Sequence, residues 1–402
     1  MIIELVIALI AGVIIGSITG LAPGIHTNMM SVFLVSASVL LIPYFPSIVL
    51  AVFIVSMSIS DVFVSFIPSI FLGAPDENSV LSVLPGHEML IKGEGYEAVI
   101  LTLYGSIIGI FLILLFTPLF ILFLPKIYDN ALTIMPFILI LASLFLFYFE
   151  KKNRLWAIII FFLAGFLGIA SMNLSLKEPL LPLLTGLFGA SSLITSISKK
   201  QKLPEQRISR LKEIKIPKSS FFKTIFASII ASPLCSFLPG LGSGQAAVIG
   251  SEVAGDLDRK EFLILLGSIS AIVMGLSFVT LYTIQKSRTG SAVAISTILE
   301  NFSLNNLYII LAAIFISGIF AFFLAIFLAK IFSKYISKIS YNKLSIFILI
   351  LLSLIVLFFS GFLGFLVFIV STSLGLTCIY AGIRRTHLMG CLLLPTILFY
   401  LL

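Results

Sequence analysis

The chain has 402 residues, of which 60% are hydrophobic and only 10% charged. Soluble domains carry about 25% charged residues, so a soluble enzyme, a secreted disulfide scaffold, a nucleic-acid binder and a disordered chain are all excluded. The formal net charge of +8 comes mostly from one segment and reads as a topology signal, not as the mark of an acidic partner.

A bilayer crossing takes roughly 20 apolar residues, which leaves room for about ten to twelve crossing or half-crossing segments. The expected fold class is an all-α polytopic membrane protein. In chain order, MIIELVIALIAGVIIGSITG lacks the basic start and the cleavage site of a signal peptide and reads as a first span. It runs into GSITGLAPGIHTNMM, residues 16–30, where Pro23-Gly24 interrupts an apolar helical pattern. A second polar interruption, GAPDENSV, occupies 73–80. Four apolar spans follow near 98–123, 129–149, 155–172 and 179–196. The long polar stretch KKQKLPEQRISRLKEIKIPKSS, residues 199–220, sits at the midpoint and reads as a basic, solvated cytoplasmic linker. The second half repeats the order. SPLCSFLPGLGSGQAA (232–247) carries Pro239-Gly240, QKSRTGSAV (285–293) is the second interruption, and spans lie near 306–329, 344–360, 362–381 and 386–402.

Charge orients these spans. Lys151, Lys152 and Arg154 follow the second span of the first block and belong inside, with the linker inside two spans later. The first block therefore starts inside, near Lys92. In the second half Lys330, Lys334, Lys338 and Lys343 follow the first span and Arg384 and Arg385 the third, so that block starts outside. The expected layout is two repeats of inverted topology. The first covers 1–198 (broken helices 1–97, four-span block 98–198), and the linker 199–220 follows. The second covers 221–402 (broken helices 221–304, four-span block 305–402).

Non-helical backbone at membrane depth leaves polar groups that hydrocarbon cannot satisfy, so such breaks face a water-filled cavity or a ligand. A half-helix opening after Pro-Gly aims N–H groups and a positive dipole end into that space. The candidate substrate site therefore gathers Pro23, Gly24, Thr27 and Asn28 from the first break and Pro239, Gly240, Gly242, Ser243 and Gln245 from its counterpart. Asn78, Ser79, Arg288 and Ser291 come from the second pair of breaks. Arg288 is a direct partner for an anion. Asp61, in SMSISDVFVSF, and Asp76 are the candidate ion-coupling residues, because carboxylates inside spans are expensive. Asp61 either carries a proton, helps hold Na⁺ or caps a helix. His87 and His387, beside Glu88 and Arg385, read as surface residues of polar loops, and Trp156 as an interfacial anchor. Cys235, Cys378 and Cys391 read as small buried hydrophobes. No cofactor, catalytic residue or metal site is expected beyond Na⁺ as a coupling ion, since GLGSG matches no nucleotide-binding loop.

GSITGLAPGIHTNMMSVFLV, followed by SFIPSIFLGAPDENSVLSVLPGHEMLIKGEGYEAVILTLYGSIIG, resembles the large permease subunit of tripartite tricarboxylate transporters, the TctA family. Pro85, Gly86, His87, Met89, Lys92 and Gly93 stand in matching places, and SFLPGLGSGQAAVIGSEVAG looks like the family's second Pro-Gly break. The chain departs from the family in its shorter length, in Gly73–Asn78 replacing a PGTP-type run, and in His26. The resemblance implies ion-coupled secondary transport aided by a small membrane subunit and an extracytoplasmic solute-binding protein. The leading expectation is a permease for a small organic anion, a di- or tricarboxylate, coupled to H⁺ or Na⁺ in the cell membrane. A translocase of a lipid-linked phosphate such as polyprenyl phosphate is the alternative. An intramembrane enzyme is disfavoured by the lack of HExxH and GxSxG. Association of like chains is compatible with either reading.

Overall fold

The computed structural model describes residues 1–22, 44–74, 79–148, 150, 153–198, 203–214, 218–237, 242–255, 257–287, 289–299, 301–338 and 340–401. These are mostly helical, with no strand among the described residues. Among the described residues nine helical segments are long and apolar enough to cross a bilayer, and Val80–Ile91, Phe221–Phe237 and Arg385–Leu401 are shorter apolar helices. The all-α polytopic expectation holds.

Helix α1 (Ile2–Leu21) packs along α2 (Ser47–Val64), which continues into the short α3 (Phe66–Leu72). Gly12 and Gly16 make this approach close. A Cβ at Gly12 would meet the Phe53 carbonyl oxygen at 2.5 Å, and one at Gly16 would fall on the Met57 carbonyl. Lipid is as apolar as leucine, so small residues that admit close backbone packing, not hydrophobic contrast, hold membrane helices together. A 3₁₀ turn (Val80–Ser82) then leads into α4 (Val83–Ile91).

Helix α5 (Gly95–Tyr148) has 54 residues. At 1.5 Å per residue that is roughly 80 Å, more than twice the hydrocarbon thickness, so it serves as two crossings. These are Gly95–Tyr128 and Asn130–Tyr148. Helix α6 is Arg154–Asn173, and α7 (Leu180–Leu184) passes through a π-helical turn (Thr185–Ala190) into α8 (Ser191–Ser198).

The second half begins with α9 (Lys218–Phe237), then α10 (Ser243–Ala254) and α11 (Arg259–Ile284). Helix α11 starts with a reciprocal cap, Asp258 accepting from the Glu261 N–H and Glu261 from the Asp258 N–H. After α12 (Gly290–Ile298) come α13 (Leu304–Ile336) and the 40-residue α14 (Tyr341–Tyr380). Gly361 interrupts α14 with φ 69°, a left-handed conformation that glycine tolerates, and divides it between the two spans read from the sequence. A 3₁₀ turn (Arg385–Met389) precedes α15 (Gly390–Leu401).

The helices interlock in reciprocal pairs. Helix α11 packs on the first crossing of α5, and α2 packs on α13. At the first contact, a Cβ at Gly105 would fall on the Ile264 carbonyl, and one at Gly267 on the Thr102 carbonyl. Gly168 of α6 and Gly390 of α15 each touch the other helix's backbone, as do Gly186 of the π turn and Gly375 of α14. Helix α11 is the most enclosed span, with 94% of its apolar window buried.

The described part of the linker differs from a wholly solvated tether. Gln206 accepts from the Gly95 N–H at 2.9 Å and donates to the Leu90 carbonyl at 3.0 Å, and the Arg207 N–H donates to Gly93 at 2.8 Å. Tyr104 adds a hydrogen bond to the Leu211 carbonyl. The chain is stitched to the turn between α4 and α5 because its amide side chain and backbone satisfy that turn's exposed polar groups.

Candidate functional site

Between α1 and α2 lies a buried file of hydroxyls ending on a carboxylate. Ser17 and Ser60 lie 2.8 Å apart and each is also within reach of the Val13 carbonyl, so with one proton apiece one donates to Val13 and the other to its partner's hydroxyl. One turn on, Thr19 donates to Asp61 Oδ1 at 3.1 Å, with the Gly16 carbonyl as an alternative acceptor at 3.0 Å. Asp61 is 2% exposed. A single hydroxyl proton cannot serve both acceptors, so the Thr19 bond reports on Asp61. An ionised Asp61 takes that proton, whereas a protonated one donates to Thr19 and releases the Thr19 hydroxyl to Gly16.

Three residues before Asp61, Ser58 meets Ser291 of α12 at 2.6 Å. Ser58 also donates to the Ile54 carbonyl, so the proton of the shared bond is Ser291's. This contact joins positions 233 residues apart and brings Asp61 and Ser291 onto neighbouring turns. Thr289 fixes α12 by accepting from the Ala292 N–H, and itself meets Ser277 at 3.0 Å.

Ser79 is fully buried, and its carbonyl accepts from Ser69 and from Ser82. At the start of α10, Gln245 turns its amide oxygen back to the Gly242 N–H at 2.8 Å. Gln245 therefore caps its own helix. Ser243 lies in the same first turn and is 2% exposed. Pro23, Gly24, Thr27, Asn28, Asp76, Asn78, Pro239, Gly240 and Arg288 lie outside the described residues.

A cavity of about 470 Å³ opens where the two halves meet. Val80 and Leu81, just after Ser79, line it from the first half. Ser251 and Glu252 line it from the far end of α10, the helix of Ser243 and Gln245, with Arg384 and Arg385 beside them. Its size lies within the roughly 300–1,000 Å³ of small-molecule pockets. Glu88 and Arg259, an ion pair, close one side.

The sequence reading missed the groups around Arg385. Arg385 is 5% exposed and donates to the carbonyls of Leu187 and Phe188, both at 2.8 Å, and to the hydroxyls of Ser191 and Ser192. It thereby satisfies carbonyls that the π turn frees from the regular ladder, and π turns recur at functional sites. His387 and Glu150 are buried as well, with Nε2 to Oε2 at 3.1 Å, and Arg384 Nε lies 3.7 Å from the same oxygen. His387 is therefore no surface residue. His87 is not one either: it is 8% exposed and meets Ser196 at 3.0 Å and Tyr341 at 3.2 Å. Both lie beside span ends, where sequence alone cannot distinguish a solvated loop from a helix folded back into the core.

A bundle of interlocked apolar helices around a cavity lined by both halves defines a polytopic membrane protein of the permease type. The chain belongs to the tripartite tricarboxylate transporter TctA family, which matches residues 6–390. It is also similar to an uncharacterised protein of Methanocaldococcus jannaschii, 32% identical over 98% of each chain. No solved structure matches.

Proposed function

We propose that the chain is the membrane permease of a secondary active transporter for a small organic anion, a di- or tricarboxylate, bound between the two halves and driven by H⁺ or Na⁺. The observation that carries this reading beyond the family is the Ser58–Ser291 bond, which seats a second-half polar helix start beside the buried carboxylate Asp61. In this reading the Pro23-Gly24 and Pro239-Gly240 breaks supply oriented N–H groups to the carboxylate, with Thr27, Asn28, Ser243, Asn78, Ser79 and Arg288 around it. Asp61 and Asp76 serve the coupling ion. A small membrane subunit and an extracytoplasmic binding protein complete the transporter.

The reciprocal packing of α11 on α5 and of α2 on α13 fits two halves related by a two-fold axis, and the charge pattern makes that relation an inverted one. Cysteine labelling in right-side-out vesicles of the cell membrane tests it. The three native cysteines are buried and contribute little background. Arg210→Cys is expected to react only once the inner face is opened, and Asn305→Cys directly from outside. Reaction of both from one side would refute the arrangement.

Binding is tested by thermal unfolding of the purified protein with citrate, succinate or phosphate, with and without Na⁺. A ligand at 100 times its Kd stabilises the native state by roughly 2.7 kcal/mol. No shift with either carboxylate would sink the carboxylate reading, and in a further arm with polyprenyl phosphate a shift with that ligand alone would establish the lipid-phosphate alternative. Asn28→Ala and Ser243→Ala are each expected to weaken citrate binding about tenfold, the effect of about 1.4 kcal/mol from one charge-assisted hydrogen bond. Ser243 is a cleaner probe than Gln245, whose removal also uncaps α10. Loss in one variant with unchanged affinity in the other assigns the site to a single half.

A further inference from the structure

The wall of the cavity carries a buried cation whose charge no acid matches. Among the described residues no carboxylate lies within ion-pair distance of Arg385, while Arg259 pairs with Glu88 and Arg384 with Glu150. The acceptors that Arg385 does have are two carbonyls and two hydroxyls, all neutral. Such dipoles offset only part of the cost of removing a charge from water, and an opposite charge is needed to offset the rest. The Nε–H of Arg385 and the hydroxyl of its neighbour Thr386 are buried without a hydrogen-bond partner. Buried polar groups nearly always have one, and His387 Nδ1 on the same turn lacks one too, so the turn that carries Arg385 along the cavity wall is short of acceptors. Glu252 and Asp258 also line the wall, with Arg259 and Arg384 beside them.

We propose that this cavity is an anion station of the permease, with Arg385 as the cation that meets a carboxylate or phosphate group of the ligand. The station lies at the linker end of the molecule, because Glu88 on its rim is one turn of α4 from the Lys92–Gly95 stretch to which the linker is bound. It lies at the opposite end of α10 from Ser243 and Gln245 and would hold the anion as it enters from or leaves to that side. The proposal rests on the reading that the cargo is an anion. It adds the residue that recognises the charge there. Arginine suits the task, since its planar fork pairs with carboxylate and phosphate oxygens two at a time.

The test is equilibrium binding of citrate, succinate and inorganic phosphate to the purified full-length protein in nanodiscs at low salt. Two variants are compared with wild type, Arg385→Gln and Ser251→Glu. Ser251 lines the cavity, and its hydroxyl bonds only the Val248 carbonyl of its own helix. Ser251→Glu therefore places a carboxylate in the cavity without touching any bond of Arg385. Both variants are expected to bind the preferred anion at least tenfold more weakly. If Arg385 were only a clamp for the π turn, Arg385→Gln would lower thermal stability and Ser251→Glu would leave affinity alone. Unchanged affinity in a folded Ser251→Glu protein overturns the station while leaving the permease reading intact. Where Arg385→Gln fails to fold, Ser251→Glu decides. Binding of phosphate with no binding of citrate or succinate supports the station and refutes the carboxylate cargo, and binding of none of the three by wild type overturns both.

Discussion

Gly267→Val is expected to leave little or no folded protein. Gly267 sits in the middle of α11, the most enclosed span, where a Cβ would fall on the Thr102 carbonyl of α5. The contact is mutual, since a Cβ at Gly105 would fall on the Ile264 carbonyl, and Ser106 reaches across to the Gly267 carbonyl at 3.2 Å. Helix α11 has little room to yield, since it is enclosed on nearly all sides. Overpacking in ordinary cores costs typically 1–3 kcal/mol when side chains can shift. Here the obstacle is main chain and two helices must part, so a loss of about 3 kcal/mol or more is expected. The measurement is yield and monodispersity on size-exclusion chromatography, with thermal unfolding of whatever is recovered. Gly382→Asn is the control. Gly382 has φ 67°, which asparagine tolerates, and no atom lies within 4 Å of the added Cβ. Normal yield and melting for Gly267→Val would mean that the α5–α11 contact does not hold the two halves together.

That contact shows where sequence stops being informative. The apolar runs specify crossings because length and hydropathy suffice, and the Gly361 interruption falls between two spans because neither run extends through it. Glycines inside those runs have no local signature. Gly267, in LLGSIS, reads as an ordinary small residue until the partner helix is present. The polar site divides the same way. Asp61 stands out because a carboxylate among apolar neighbours is rare in a span, and Ser291 because it lies within a polar interruption. Their proximity through Ser58 is tertiary and has no periodicity to betray it. Arg385 was misleading for a different reason. At the end of an apolar span an arginine orients the helix by the positive-inside rule whether it faces water or not. Only the return of α15 into the bundle, which buries the turn Arg385–Met389, makes it an interior cation.

Asp61→Asn is expected to abolish ion-dependent transport while leaving the fold in place. The carboxylate is enclosed between α1 and α2, where an uncompensated charge would cost several kcal/mol. Its setting makes either protonation state workable, because the Thr19 hydroxyl is placed to donate to Asp61 or to the Gly16 carbonyl, 3.1 and 3.0 Å away. A change in charge at Asp61 is thus transmitted to α1 by a turn of one hydroxyl, without breaking the helix pair. One turn earlier on α2, Ser58 bonds Ser291, which opens α12 in the other half. Asparagine keeps the size and accepts from Thr19 through its carbonyl oxygen, so packing and melting temperature should stay close to wild type. What it cannot do is take up a proton or offer full negative charge to Na⁺. Uptake of citrate by proteoliposomes, with whatever partner subunits the transporter needs, should then stop responding to an imposed pH or Na⁺ gradient, a loss of tenfold or more in driven uptake. Asp61→Glu should retain part of the response, and Thr19→Val should shift its pH dependence by removing the hydroxyl that distinguishes the two states. If Asp61→Asn transports with unchanged ion dependence and Thr19→Val shifts nothing, Asp61 is a structural cap between α1 and α2, and the coupling ion is held elsewhere.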